Sequence, residues 1–279
     1  MPSLGFCIVL VFLLFRIFNI STASEPTGFV FLIKFPQARF MLVLFFGIII
    51  FYSYKTVGRN SQWKNNLSLF EADMKTAPNS SMLKYYYANE TVKQIKDGFL
   101  TGSKAQDHLE EAYKQISRAI VINPGWYKLY YTSGLCYNLG NKYSEAKSSF
   151  KKAVFLNPKD FDANHDLGNS YFRLCKYDSA IFYIKKSIEL NPNGYNAYNT
   201  LAGCYFLQGD YEQSVKNYLK SISLNNNNSD AFQNLARAYF AMKRYDDALN
   251  AFQDALKISP NDAGILKNIE IVKTAKFGH

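Results

Sequence analysis

The stretch FDANHDLGNSYFRLCKYDSAIFYIKKSIELNPNG, residues 161–194, decides the fold, because it recurs at a fixed period of 34 residues. Four gapless copies run Tyr127–Asp160, Phe161–Gly194, Tyr195–Asn228 and Ser229–Asp262. Position 8 of each copy is small (Gly134, Gly168, Ala202, Ala236). So are position 20 (Ala146, Ala180, Ser214, Ala248) and position 27 (Ala153, Ser187, Ser221, Ala255). Tyr stands at position 11 (Tyr137, Tyr171, Tyr205, Tyr239) and at position 17 (Tyr143, Tyr177, Tyr211, Tyr245). Pro closes three copies at position 32 (Pro158, Pro192, Pro260), with Asn226 in the remaining one. Self-similarity at this period denotes stacked helical pairs, each too small to bury its own apolar face.

This pattern resembles the tetratricopeptide repeat. The small positions fall where the two helices of a pair cross closely. The large ones fill the space between helices, in the second copy Asn164, Leu167, Tyr171, Tyr177 and Ile184. Upstream, His108–Pro124 matches the second helix of a further repeat, with Ala112, Ile116, Ala119 and Pro124 in register. Its first helix is expected over Ser81–Ile95. The link Lys96–Ala105, longer than a standard turn, reads as an insertion. Trp63–Pro78 reads as another half-repeat, and Ala263–Phe277 as a terminal helix capping the stack.

The N-terminal part is different material. Leu4–Ile20 is apolar apart from Arg16 and Asn19, and Phe40–Tyr54 is a second apolar run. A spanning helix needs about 20 residues. The first run has nearly that length, and the second reaches it over Gln37–Lys55 if Arg39 snorkels to the interface. Leu4–Ile20 reads as a cleaved signal peptide, as a single anchor, or as the first arm of a two-span hairpin closed by Ser21–Gln37. The hairpin is preferred, because no Lys or Arg precedes the run and Arg16 interrupts its apolar core.

The net charge is +10. Residues 1–126 hold 13 basic and 8 acidic side chains, and the four copies hold 16 and 13. The excess is thus spread along the sequence, and no basic run interleaved with aromatics points to nucleic acid. Lys55, Arg59 and Lys64 follow the second apolar run and favour a cytoplasmic side. Of the four cysteines, Cys7 lies in an apolar run, while Cys136 and Cys204 occupy one small position two repeats apart. No pair has metal-ligand or disulfide-framework spacing, so they read as small buried hydrophobes. His108, His165 and His279 are scattered, and the pairs Glu110-Glu111 and Asp246-Asp247 lie on exposed helix faces. No catalytic constellation assembles. Asn-x-Ser/Thr matches occur at Asn19, Asn66, Asn79, Asn89 and Asn227, which a secretory lumen would glycosylate.

The informative surface is the inner groove, lined in this repeat class by positions 2, 5, 6, 9, 12 and 13 of each first helix. The first copy offers Tyr131, Thr132 and Leu135, and the second Asp162, His165, Asp166, Asn169, Phe172 and Arg173. The third offers Asn199, Thr200 and Phe206, and the fourth Gln233, Asn234, Arg237 and Phe240. Amides hydrogen-bond an extended peptide backbone whatever its sequence, and Phe rings pack its side chains. Position 12 also packs partly against the next repeat. The Lys/Asn clamp with which some such repeats hold a peptide carboxylate is not reproduced.

At the junction, Val57–Phe70 (VGRNSQWKNNLSLF) followed by Pro78-Asn79-Ser80 resembles the transmembrane-and-tetratricopeptide family of protein O-mannosyltransferases. Met1-Pro2-Ser3-Leu4-Gly5-Phe6 resembles a motif inside that family's membrane domain. The resemblance implies the last two spans of a multi-span transferase, with the repeats on the luminal or periplasmic side. That conflicts with the charge signal and is preferred to it. The family's catalytic acidic residues lie in an early loop that this sequence lacks, so none is carried over. On this resemblance Met1 is an internal methionine of a longer protein, or the chain is a remnant that keeps only the binding part.

The expected architecture is all-α: a transmembrane helical hairpin (1–56), a junction with atypical repeats (57–126), four regular repeats (127–262) and a capping helix (263–279), the repeats forming an α-solenoid. The expected function is a membrane-anchored protein that binds a peptide or protein partner in its groove. The alternative is the substrate-presenting part of a mannosyltransferase without its catalytic loop. No enzymatic activity of its own, no cofactor, no metal and no nucleic acid are expected. The protein is expected to be integral to a membrane, its repeats on the luminal or periplasmic face, with the cytoplasmic face as the other option.

Overall fold

The computed structural model describes residues 43–44, 46–51 and 65–278. The chain divides after Leu69 into two compact units. In the first unit, residues 43–44 and 46–51 are helical, and Val43, Phe46, Ile50 and Phe51 are exposed. The expected span Leu4–Ile20 lies outside the described residues, and Gln37–Lys55 is described only at these eight positions. Among the described residues, no helix is long and apolar enough to cross a membrane.

Twelve helices follow in the described residues: α1 (Asn66–Thr76), α2 (Ser81–Lys96), α3 (Gly102–Ile122), α4 (Tyr127–Leu139), α5 (Tyr143–Leu156), α6 (Phe161–Arg173), α7 (Tyr177–Leu190), α8 (Tyr195–Leu207), α9 (Tyr211–Leu224), α10 (Ser229–Ala241), α11 (Tyr245–Ile258) and α12 (Ala263–Phe277). In every copy the first helix takes positions 1–13 and the second takes positions 17–30. The Lys96–Ala105 link is not an inserted loop. The turn covers only residues 97–101, and the remaining residues lengthen α3 to 21 residues against 14 in α5, α7, α9 and α11.

Close crossings set the small positions. Ala146, Ala153, Ala180, Ala248 and Ala255 are wholly buried, as are Ser214 and Ser221. A methyl group on Gly168 would stand 2.7 Å from Ile184 Cδ1, and one on Gly134 would stand 2.5 Å from the Phe150 ring. Where Ser replaces Ala at position 27, its hydroxyl donates across the pair. Ser187 Oγ reaches the Phe161 carbonyl at 2.8 Å, and Ser221 Oγ reaches that of Tyr195 at 2.9 Å.

Position 34 caps the next first helix. Asp160, Asn228 and Asp262 each accept a backbone N–H from the first turn that follows. Position 4 ties the helix back to the preceding loop: Asn164 Nδ2 donates to the Pro158 carbonyl at 3.0 Å. In the atypical repeat Lys84 does the same, its ammonium donating to the Pro78 carbonyl, and burial lowers its pKa.

Each second helix packs on the first helix of the next copy, and α6, α8 and α10 approach one another directly. First helices therefore line the inner side of the stack and second helices the outer side. α12 closes the end, burying Ile265, Ile269 and Val272 with Phe252 and Ala248 of α11.

Candidate functional site: the inner helix face

Groove positions come from α4, α6, α8 and α10, brought side by side by the repeat. A residue at position 5 of one copy lies opposite position 6 of the next, 35 residues on. Two such rungs are made. Tyr131 Oη donates to Asp166 Oδ2 at 2.9 Å. His165 Nε2 lies 3.4 Å from Thr200 Oγ1, while its Nδ1 lies 3.1 Å from Asp166 Oδ1. Three copies are thus joined through Tyr131, Asp166, His165 and Thr200. Burial, and then the Asp166 charge, hold the Tyr131 phenol well above the ordinary tyrosine range. Burial, together with the charges of Asp166 and Asp160, raises the Asp162 carboxyl.

The third rung would pair Asn199 with Asn234, and it carries no hydrogen bond. Asn199 Oδ1 is buried with no partner among the described residues. Asn234 Oδ1 receives only a long bond from Arg237, 3.4 Å, and Gln233 Nε2 reaches Ser229 Oγ at 3.4 Å. The Asn169 side chain is half-buried and makes no hydrogen bond among the described residues. Amide capacity therefore goes unused across copies two to four.

The Phe residues at position 12 are half-buried in contacts of the chain itself. Phe172, Phe206 and Phe240 lie 6.1, 5.5 and 5.8 Å from the Tyr rings at position 17 of their own copies, at nearly one tilt. Phe172 also reaches the next copy, where a methyl on Gly203 would stand 3.5 Å from its ring. Arg173 and Arg237 are exposed, Arg173 5.9 Å from the Tyr143 ring. Thr132 and Leu135, expected in the groove, are buried at 1% and 8% exposure, because α2 packs along α4 as well as along α3.

Asp166 and Thr200 stand at groove position 6, as the repeat register places them, but their pairing with the previous copy was not expected. The signal for them is spacing, a polar residue at position 6 facing one at position 5 of the previous copy. The Glu and Asp pairs serve local contacts. Glu111 accepts from Gln115 Nε2 at 2.5 Å, Asp247 pairs with Arg244 at 2.7 Å, and Asp246 pairs with Lys276. Cys136 and Cys204 are buried, and burial pushes both thiols up to about 12, which keeps them protonated. Among the described residues no cluster of His, Cys, Asp and Glu is arranged to hold a metal ion.

Paired antiparallel helices stacked at a 34-residue period, with an inner polar face, define an α-solenoid of the repeat class that serves as a binding surface. Residues 127–160 match the family described as tetratricopeptide repeat, and residues 173–255 match subunit 3 of the anaphase-promoting complex, or cyclosome. The chain thus carries repeats of the tetratricopeptide type, matched directly at residues 127–160. Neither matching family is that of the mannosyltransferases, and no curated protein matches. Among solved structures, YrrB, described as a tetratricopeptide protein with an unusual peptide-binding site, is 21% identical with a TM-score of 0.56, over 72% of this chain and 97% of that one. MamA is 24% identical with a TM-score of 0.53, over 57% of this chain and 93% of that one. A chain of the Cut9–Hcn1 hetero-tetramer of the anaphase-promoting complex is 20% identical with a TM-score of 0.60, over 78% of this chain and 41% of that one. At these identities the likeness is one of fold.

Proposed function

We propose that this protein binds an extended peptide segment of a partner protein along the inner face of α6, α8 and α10. The observation that carries the reading is the unused amide capacity of that face. Among the described residues the Asn169 side chain makes no hydrogen bond, Asn199 Oδ1 has no partner, and the Gln233 and Asn234 side chains make only long bonds. An amide offers both donors and an acceptor, which is what an extended backbone presents in return. A buried acceptor left unmade costs about 1–3 kcal/mol, and a ligand N–H that reaches Asn199 would recover part of it. The peptide-binding site named for YrrB supports the same use of this fold. Binding, not catalysis, is the role assigned to the chain.

Random peptides displayed on phage and panned against the full chain test this reading. Selected peptides are expected to lose at least about tenfold in affinity to Asn199→Leu combined with Asn234→Leu, roughly 1.4 kcal/mol. They are expected to be indifferent to Ser148→Ala on the outer side. Peptides whose affinity ignores the amide pair would sink the proposal.

Attachment to a membrane through Leu4–Ile20 and Gln37–Lys55 is part of the same proposal, supported by the length and apolarity of those stretches. The reading as the substrate-holding arm of a mannosyltransferase rests on Val57–Phe70 and Pro78–Ser80. It requires further spans and an acidic loop encoded immediately upstream of Met1, and unrelated upstream DNA would dismiss it.

A further inference from the structure

We infer that the outer face of the stack, across α3, α5, α7 and α9, is a docking surface for an anionic lipid bilayer. Positions 22, 25, 26 and 29 of a second helix share one face by i, i+3, i+4 and i+7 spacing. In four successive helices that face carries one large exposed apolar side chain. These are Val121 (82% exposed), Phe155 (74%), Phe182 (62%) and Leu219 (46%).

Each apolar residue shares its helix face with two cations. Lys114 and Arg118 stand in α3, and Lys151 and Lys152 in α5. Lys185 and Lys186 stand in α7, and Lys216 and Lys220 in α9. Glu189 is the one anion at these positions in the four helices. Among the described residues, only Lys114 of the eight cations has an ion pair, with Glu111 at 3.6 Å.

The fold does not require this pattern, because α11 lacks it. Its corresponding residues are Asn250, Gln253, Asp254 and Lys257, of which the last two pair with each other at 2.7 Å, and none is apolar. α11 still packs as the other second helices do, so the cations and apolar tips of the first four are not demanded by stacking.

Exposed apolar tips set among lysines match the boundary between headgroups and acyl chains. There cations meet lipid phosphates while the tips enter the apolar layer. A nucleic-acid surface fits less well. Its specific contacts come from amides, arginines and stacked aromatic planes, whereas this face offers one arginine, and its aliphatic tips Val121 and Leu219 have no counterpart on a sugar-phosphate backbone.

The test uses the full chain with Cys7→Ser and Cys175→Ser, carrying an environment-sensitive fluorophore at Phe155→Cys, Phe182→Cys or, as control, Asn250→Cys. Each variant is incorporated in vesicles of phosphatidylcholine alone or with about one-third phosphatidylglycerol. The first two positions are expected to blue-shift and to be quenched by brominated lipid at least about threefold more strongly in the anionic vesicles. Molar salt, or Lys151→Glu with Lys152→Glu, is expected to abolish the difference, while position 250 stays wet throughout. Equal wetness of positions 155 and 250 in both vesicles would overturn the inference. So would shielding of position 155 by a DNA oligonucleotide but not by lipid, or shielding that depends on protein concentration without vesicles. Comparing two lipid compositions separates docking of this face from simple attachment through the N-terminal stretches, which both vesicles would support. All labelled sites are exposed helix positions, and unchanged thermal melts verify that each variant folds.

Discussion

Position 15 of the repeat shows how one residue can oppose the backbone it occupies. It lies in the turn between the two helices of a copy, and all four copies hold it in the left-handed region. Gly209 has φ +83°, which costs glycine nothing, but Asn141, Cys175 and Lys243 have +57°, +56° and +59°. Asn tolerates this region better than most residues, whereas Cys and Lys pay a steric cost of about 1–2 kcal/mol. Cys175→Gly and Lys243→Gly are therefore expected to stabilise the chain by about 0.5–1 kcal/mol each, after allowance for the greater freedom of glycine when unfolded. Asn141→Gly is expected to change it by a few tenths at most. Thermal or urea melts of the three variants check the ranking, and equal effects at all three positions would refute the steric account. This position was not legible from the sequence because four different residues occupy it. What they share is a backbone angle, and nothing in their side-chain chemistry announces it. The groove amides were legible because they recur at neighbouring positions. The rungs that their neighbours make were not, since these depend on contacts 35 residues apart such as Tyr131 with Asp166.

At the level of helices, close approach depends on a reciprocal fit between position 8 of the first helix and position 24 of the second. Ile184 fills the space over Gly168 so closely that a methyl there would stand 2.7 Å from two of its side-chain carbons and 3.2 Å from the Ala180 carbonyl oxygen. Gly168→Ala is expected to destabilise the protein by about 1–3 kcal/mol through overpacking. Ile184→Val removes the Cδ1 carbon and is expected to cost about 0.5–1.5 kcal/mol alone. Combined with Gly168→Ala it should cost less than the sum, because the clash loses one of its partners. A double-mutant cycle measured by urea unfolding decides, and strict additivity would mean that the two helices do not meet as described. The helices of the four copies were legible from periodicity, since small residues at positions 8, 20 and 27 mark the crossings. α3 was less so. Its first turn lies in Lys96–Ala105, where the period carries no information, so a helix extension reads as a loop. The same irregular repeat hid the fate of Thr132 and Leu135: their counterparts Asp166, Thr200, Asn234, Asn169 and Gly203 are half-buried in the regular stack, but here α2 packs along α4.

Across the whole array each copy touches only its neighbours, so a local defect should have a consequence set by where it falls. Ile184 and Ile265 offer the comparison, because both are wholly buried isoleucines, one in the middle of the stack and one in the last helix. Truncating either to Ala removes the same atoms and is expected to cost about 2–5 kcal/mol locally. Ile265→Ala weakens only the contact of α12 with α11 and α10, and the remaining copies keep their interfaces. Amide hydrogen exchange is therefore expected to accelerate in α12 and α11 while α4 to α7 keep their protection. Ile184 instead packs with Ala197 and Leu201 of the following copy, so its loss weakens both its own copy and the link onward. Ile184→Ala is expected to lower protection on both sides of the cut, because neither fragment retains enough stacked copies to stand alone. The relevant quantity is the ratio of exchange rates in α4–α7 between the two variants. A ratio near one would mean that the array unfolds as a single cooperative unit. Independent terminal fraying would leave the inner amide face of copies two to four intact while the capping helix opens, separating the stability of the end from the integrity of the groove.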